Sequence, residues 1–278
     1  VKTFIFNFCN KIKKRYNLFA AIIFIFSGNA FAHDFWILPH DAMTTTNNEV
    51  FFELRIGSGV PGKQTPRLPG LIATFNAWDA LGQQKIEGHE GALVIGHLKT
   101  RVSGATIASL TTNGAKITLP SDEFEDYLKE EGLDKIIAAR QENGESGLPG
   151  IELFYRCAKA IIFVNNKSDG YDKIIGLEHE LVPITEPLNY KPGTPYIVKL
   201  LSASKPLAHL QVKAELNTSP PTILRSITDE KGYASFILPE KGEWLFSSVD
   251  MDVSPLEDAD WKSIWASVTL PIAEGKSL

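Results

Sequence analysis

From residue 34 onward the chain is a succession of short runs in which apolar and polar residues alternate, each closed by Gly, Pro, Asn or Asp. "NEVFFELRIGSG" (48–59) alternates and ends in a glycine turn, and "GLIATFNAWDALGQ" (70–83) reads as a strand entering a turn. "GALVIGHL", "ATIASLTTNG" and "AKITLP" continue the pattern. A period of two exposes one face and buries the other, so many such runs at short spacing predict an all-β, antiparallel β-sandwich.

One stretch breaks the rhythm. "LPSDEFEDYLKEEGLDKIIAARQENGE" (119–145) has a helical period, with Phe124, Tyr127, Leu128, Leu133, Ile136 and Ile137 as its apolar set. Ser121 is read as the N-cap, Asp122 and Glu123 suit a helix start, and Gly132 predicts a break between two short helices. Asn143-Gly144 ends this helical insertion, at about 121–143. "IELFYRCAKAIIFVNN" (151–166) then resumes as a strand apolar enough to lie inside the sandwich.

The start of the chain reads as a leader. Lys11, Lys13, Lys14 and Arg15 precede an apolar segment, Leu18 to Phe26, and Ala30-Phe31-Ala32 has the small-x-small form of a cleavage site. At about nine residues the apolar segment is too short to span a bilayer, which needs roughly 20. A signal peptide at 1–32, periplasmic localisation and no stable membrane insertion after cleavage are therefore expected. The whole chain carries a net charge of −5. The leader takes five basic residues and no acidic one, leaving 23 Lys+Arg against 33 Asp+Glu, a net −10 for residues 33–278. Such a protein is a poor match to nucleic acid and compatible with cations. Cys9 leaves with the leader and Cys157 stands alone, which excludes an internal disulfide and predicts a buried, inert thiol.

A boundary is expected near 183–195, where "VPITEPLNYKPGTP" is rich in turn formers. It divides two consecutive sandwich domains, 33–185 with the helical insertion and 186–278. In the second, "TDEKGYASFILPEKGEWLF" (228–246) resembles the T-D-x-x-G…F-x-L…G-x-W signature of Ig/transthyretin-like Greek-key domains, such as carboxypeptidase regulatory-like domains and adhesin B-repeats. In that resemblance Asp229 and Gly232 shape a turn, while Phe236, Leu238, Trp244 and Phe246 fill a core.

Several stretches together resemble domain-of-unknown-function family 4198: "AHDFWILP" (32–39), the helical segment 119–140, "GESGLPGIELFYRCAKAIIFV" (144–164), "LEHELVP" (177–183), "TDEKGYASFILPEKGEWLF" (228–246) and "DADWKSIWASVTL" (258–270). Its members are exported proteins often labelled as periplasmic components of nickel or cobalt uptake. The resemblance thus implies a non-catalytic binding or accessory protein with a membrane transporter component as partner. Relatives are expected to read Val-His-Met where this chain has "SSVDMDVSP", so Asp250 offers a carboxylate at the histidine's place, favouring a harder or more weakly held metal.

The residues supply a matching candidate. Cleavage after Ala32 would make His33 the first residue, and its amine, with an unperturbed pKa of about 8, would chelate nickel, cobalt or copper together with its ring. Such a site needs a further ligand from the fold, and His179 and Asp250 are the expected ones; His40 is seven residues on, with Asp34 and Asp41 flanking the two histidines. Two further readings stand beside it. An acidic loop at 250–260 could hold calcium, although it lacks the spacing and glycine of the helix–loop–helix motif. Phe35, Trp36, Phe51, Phe52, Phe75 and Trp78 could stack on a carbohydrate, or form core. No nucleophile elbow, phosphate-binding glycine loop or His-Glu-x-x-His motif occurs. The alternative to metal binding is an envelope interaction or structural module.

Overall fold

In the computed structural model, which describes residues 34–273, strands supply nearly every element, as the alternation predicts. In chain order they are β1 (Asp34–Pro39), β2 (Met43–Thr44), β3 (Glu49–Gly57), β4 (Lys63–Thr65), β5 (Ile72–Asp79), β6 (Gly82–Lys85), β7 (Val94–Lys99), β8 (Gly104–Thr112) and β9 (Ala115–Leu119). Helices α1 (Ser121–Glu130) and α2 (Asp134–Glu142) precede the longest strand, β10 (Gly150–Val164). Then follow β11 (His179–Pro183), β12 (Pro195–Ser202), β13 (Lys205–Pro206), β14 (Gln211–Leu216), β15 (Thr222–Ile227), β16 (Tyr233–Ile237), β17 (Gly242–Val253) and β18 (Trp261–Ile272). No helix among the described residues is long and apolar enough to cross a membrane.

One long sheet of ten strands runs through the fold, in the order β15-β14-β17-β18-β10-β8-β5-β6, with β2 and β9 also on β10. Its seam is the parallel pairing of β10 with β18, from Glu152 opposite Trp261 to Ala160 opposite Thr269. β1, β3, β4 and β7 form a second sheet that covers one face of this long sheet. β11, β12, β13 and β16 form a third, which covers the other face toward the opposite end. β10 therefore has a face in each of two cores. Ala158, Ala160, Ile162 and Val164 pack with Phe52, Leu54 and Phe75. Ile161 and Phe163 pack with Leu181, Tyr196 and Phe246. A strand buried on both sides is apolar wherever no partner waits inside, which is why 157–164 shows no alternation; its one charge, Lys159, donates to buried Glu180 at 2.9 Å.

The signature at 228–246 packs as expected. The Asp229 carboxylate accepts from the amides of Lys231 and Tyr233, both at 2.9 Å, and Gly232 takes φ +78°. Phe236, Leu238, Trp244 and Phe246 all lie in the core beneath the third sheet. In the segment between β11 and β12, Pro187–Asn189 makes a single 3₁₀ turn.

The two short helices form where the period predicts, broken at Gly132 (φ +68°). One correction applies: Ser121 is the first helical residue, and Pro120 occupies the N-cap without a side-chain cap bond. Pro120 has no N–H to satisfy and a fixed φ, so it starts the helix by backbone restriction alone. Leu119, Phe124, Tyr127, Leu128, Leu133 and Ile136 make a third core against Val249, Met251, Trp261 and Trp265 of β17 and β18. The helices thus lie on the same face of the long sheet as β1.

Candidate functional site

Between β1 and the helices, the long sheet has a floor made by alternate residues of β14, β17 and β18. β1 stands edge-on upon it. The Ser267 hydroxyl donates to the carbonyl of Phe35 at 2.8 Å, and the Thr269 hydroxyl to that of Ile37 at 2.9 Å. Those carbonyls point outward from an edge strand and would otherwise be buried without partners. With the edge fixed, Phe35 and Ile37 enter the first core, and Trp36 turns to the other side, 2% exposed.

At the head of β1 lies a cluster of buried charge. Lys213 of β14 donates to Asp34 and to Glu131, each at 2.8 Å, and all three side chains are buried. Glu215, two residues on and buried on the same face, accepts from the Val60 amide at 3.0 Å. Burial pulls the Lys213 ammonium down, but Asp34 and Glu131 outweigh it and the group is raised. Burial pushes Glu131 up to about 7, against the pull of Lys213 and with the Asp34 charge adding to it. Glu215 is likewise pushed to about 7 by burial, then by Asp34. Asp34, Glu131 and Glu215 thus gather around the Lys213 ammonium, and the Arg156 guanidinium also feels the charges of Asp34 and Glu131. The Oδ1 of Asp34 is buried with no hydrogen-bond partner among the described residues.

Beside it, Glu152 accepts from the Tyr127 hydroxyl at 3.2 Å and from the Ser263 hydroxyl, and burial raises its carboxyl. The Arg156 guanidinium lies 5.2 Å from the ring of Phe35, 5.0 Å from Phe154 and 5.3 Å from Trp265. This is an aromatic box of the kind that stabilises a cation.

The residues singled out in the sequence fall in different places. His33 lies outside the described residues. His179 is buried on the opposite face of the long sheet, toward the core that holds Leu181. Burial lowers its imidazole to about 4, against the opposing charge of Asp250, and its Nε2 has no partner among the described residues. Asp250 accepts from Lys135 at 2.8 Å and from the Met251 amide. In the acidic loop Lys135 also holds Asp252, Lys116 holds Asp258, and Asp260 accepts from the Ile151 amide. No three His, Cys, Asp or Glu side chains converge on a metal-holding arrangement among the described residues. Phe35, Trp36, Phe52 and Phe75 are buried, leaving no aromatic platform of those four. Cys157 is buried and free, its thiol raised by burial.

Lys213, Glu131 and Glu215 escaped the sequence reading. Gln211, Lys213 and Glu215 alternate as the outward face of a half-buried strand does, and only β1 and the helices, distant in sequence, cover that face.

Past Trp36 the floor opens into a cleft of about 440 Å³. It is bounded by Arg55 and the Val60-Pro61 loop on one side, and by Leu216–Thr218 and Glu240–Glu243 on the other.

A family model described as "Domain of unknown function (DUF4198)" matches residues 30–252. No curated protein matches the chain. Among solved structures, the D0-D1 domain of Intimin aligns at 14% identity and a TM-score of 0.21, covering 85% of this chain and 97% of that one. A tetra-tandem repeat in the extending region of a large adhesion protein aligns at 9% identity and a TM-score of 0.21, covering 86% of this chain and 49% of that one.

Proposed function

The chain belongs to the DUF4198 family, and from that premise we propose that it is a non-catalytic, exported protein that binds a divalent transition metal at its processed N-terminus. Nickel or cobalt comes first and copper next, and the protein would serve as an accessory to a membrane transporter component. The observation that carries this reading is Asp34. Its carboxylate is fixed by Lys213 within an acid-rich cluster, its second oxygen is buried and unpartnered among the described residues, and it directly follows His33. A dication chelated by the amine and ring of His33 would add positive charge beside the free oxygen of Asp34. His179 and Asp250 lie across the long sheet from Asp34, so this reading takes Asp34 as the completing carboxylate.

The test is calorimetric titration of Ni²⁺, Co²⁺ and Cu²⁺ into protein beginning at His33, beside a form with one added residue before it and an Asp34→Asn variant. Binding that is lost on extension and weakened by Asp34→Asn supports the reading. Equal binding by all three forms, or none by any, overturns it.

A second reading, an envelope interaction module, is favoured by one surface. Ile184, beside the third sheet, and Ile227, on the terminal strand of the long sheet, are 38% and 57% exposed and line one shallow groove with Ile197 and Tyr233. An apolar patch on a sheet face open to water suits a protein partner. Photocrosslinking from position 227 in cells should give one discrete adduct if this face is used, and none otherwise.

A further inference from the structure

The cleft beside Trp36 has no part in the metal reading, and its chemistry is specific. It lies where the loop between β3 and β4 faces the segments that follow β14 and precede β17, and its volume of about 440 Å³ falls within the range of small-molecule sites, roughly 300–1,000 Å³. Its wall is apolar, built from Trp36, Leu38, Pro61, Leu216 and Leu245. Its polar groups come in both signs. Arg55 and Lys241 bring positive charge, and Glu240 and Glu243 bring negative charge.

Several of these groups lack a partner. One Nη of Arg55 is engaged by Glu53, which also pairs with His40, but the Nε of Arg55 is buried with no acceptor among the described residues. The side chains of Lys241 and Glu243 form no ion pair or hydrogen bond among the described residues. A buried guanidinium N–H without an acceptor is a group that a ligand can satisfy. An anion alone would meet the two glutamates, and a cation alone would leave the Arg55 donor orphaned. A sugar would answer neither charge.

We propose that this cleft binds a zwitterionic small molecule with an apolar body, of the amino-acid class. The ligand's carboxylate sits against Arg55 and Lys241, its ammonium against Glu243, and its side chain against Trp36, Leu216 and Leu245. Trp36 is already held rigid because β1 is fixed at its edge, so the apolar wall is formed before the ligand arrives.

The experiment is calorimetric titration of L-leucine, N-acetyl-L-leucine and L-leucinamide into the metal-free protein in the presence of chelator. A failed metal titration at His33 therefore does not affect the outcome. Leucine should bind, and each blocked analogue should bind about tenfold or more weakly, because each loses one charge-assisted hydrogen-bonded end. Arg55→Gln should weaken leucine by about tenfold or more and leave leucinamide unchanged. Lys241→Ala, at an exposed position, provides the same comparison should Arg55→Gln fold poorly. Absence of leucine binding at millimolar concentration overturns the proposal, as does equal binding of leucine and both analogues.

Discussion

The Thr269 hydroxyl meets the Ile37 carbonyl at 2.9 Å, joining the edge of one sheet to the middle of another. With the neighbouring bond from Ser267 to Phe35, it sets the height at which β1 crosses the long sheet. Everything placed by β1 follows from that height: Asp34 reaches Lys213 at one end, and Trp36 closes the cleft at the other.

Thr269→Val, nearly isosteric, should therefore destabilise the protein by about 1–3 kcal/mol, because the Ile37 carbonyl is left buried and unpaired. Ser267→Ala should act similarly through Phe35. Urea denaturation measures both. Unchanged midpoints would mean that core packing alone holds β1.

Lys213→Met should cost more, about 3–5 kcal/mol, since it strands Asp34 and Glu131 without their shared cation. Adding Asp34→Asn and Glu131→Gln to that variant should recover much of the loss, because neutral groups no longer need the ammonium. A triple variant as unstable as Lys213→Met would show that shape, rather than charge, dominates this cluster.

The contrast between the helical insertion and this cluster shows what sequence can carry. Phe124, Tyr127, Leu128, Leu133 and Ile136 recur at helical spacing, and Gly132 marks the break, so the insertion is legible within one window of chain. Asp229 and Gly232 are legible for the same reason, since their turn is closed by bonds to Lys231 and Tyr233. The partners of Lys213, by contrast, are 179 and 82 residues away. His179 and Glu180 stand in an acidic stretch with no apolar period to mark them as interior, yet both are buried, and Glu180 pairs with Lys159 inside the protein. The β10–β18 pairing joins strands about a hundred residues apart and leaves no periodic trace. Local order is written in spacing, whereas burial of a polar face depends on what later covers it.

Gly150→Ala should destabilise by about 1–3 kcal/mol. A Cβ at this first residue of β10 would overlap the ring of Phe124, which is itself fully buried in α1. Phe124→Leu costs stability on its own through a cavity, but it should cost less in the Gly150→Ala background, where it makes room. A double-mutant cycle by urea denaturation reads this coupling. Strict additivity would mean that the backbone shifts instead of the ring.

The buried carboxyls and the buried imidazole should bend the pH profile of stability in opposite directions. Glu131 and Glu215, ordinarily at 4.5, stand at about 7 in the fold. Between these values the folded state keeps protons that the unfolded chain has released, so their contribution declines as pH rises from 4.5 to 7 and is level above that. His179 falls from 6.5 to about 4, so the unfolded chain binds the extra proton, and its contribution rises with pH between 4 and 6.5. Glu131→Gln with Glu215→Gln should therefore remove a falling slope and expose the rising one. His179→Gln should remove the rise and steepen the fall. Urea midpoints across pH 4.5–7 for the parent and these variants separate the two contributions. If a dication binds beside Asp34 as proposed, saturating metal should hold Glu131 ionised and abolish its part of the slope in the parent protein. A slope unchanged by metal would separate the metal site from the Lys213 cluster.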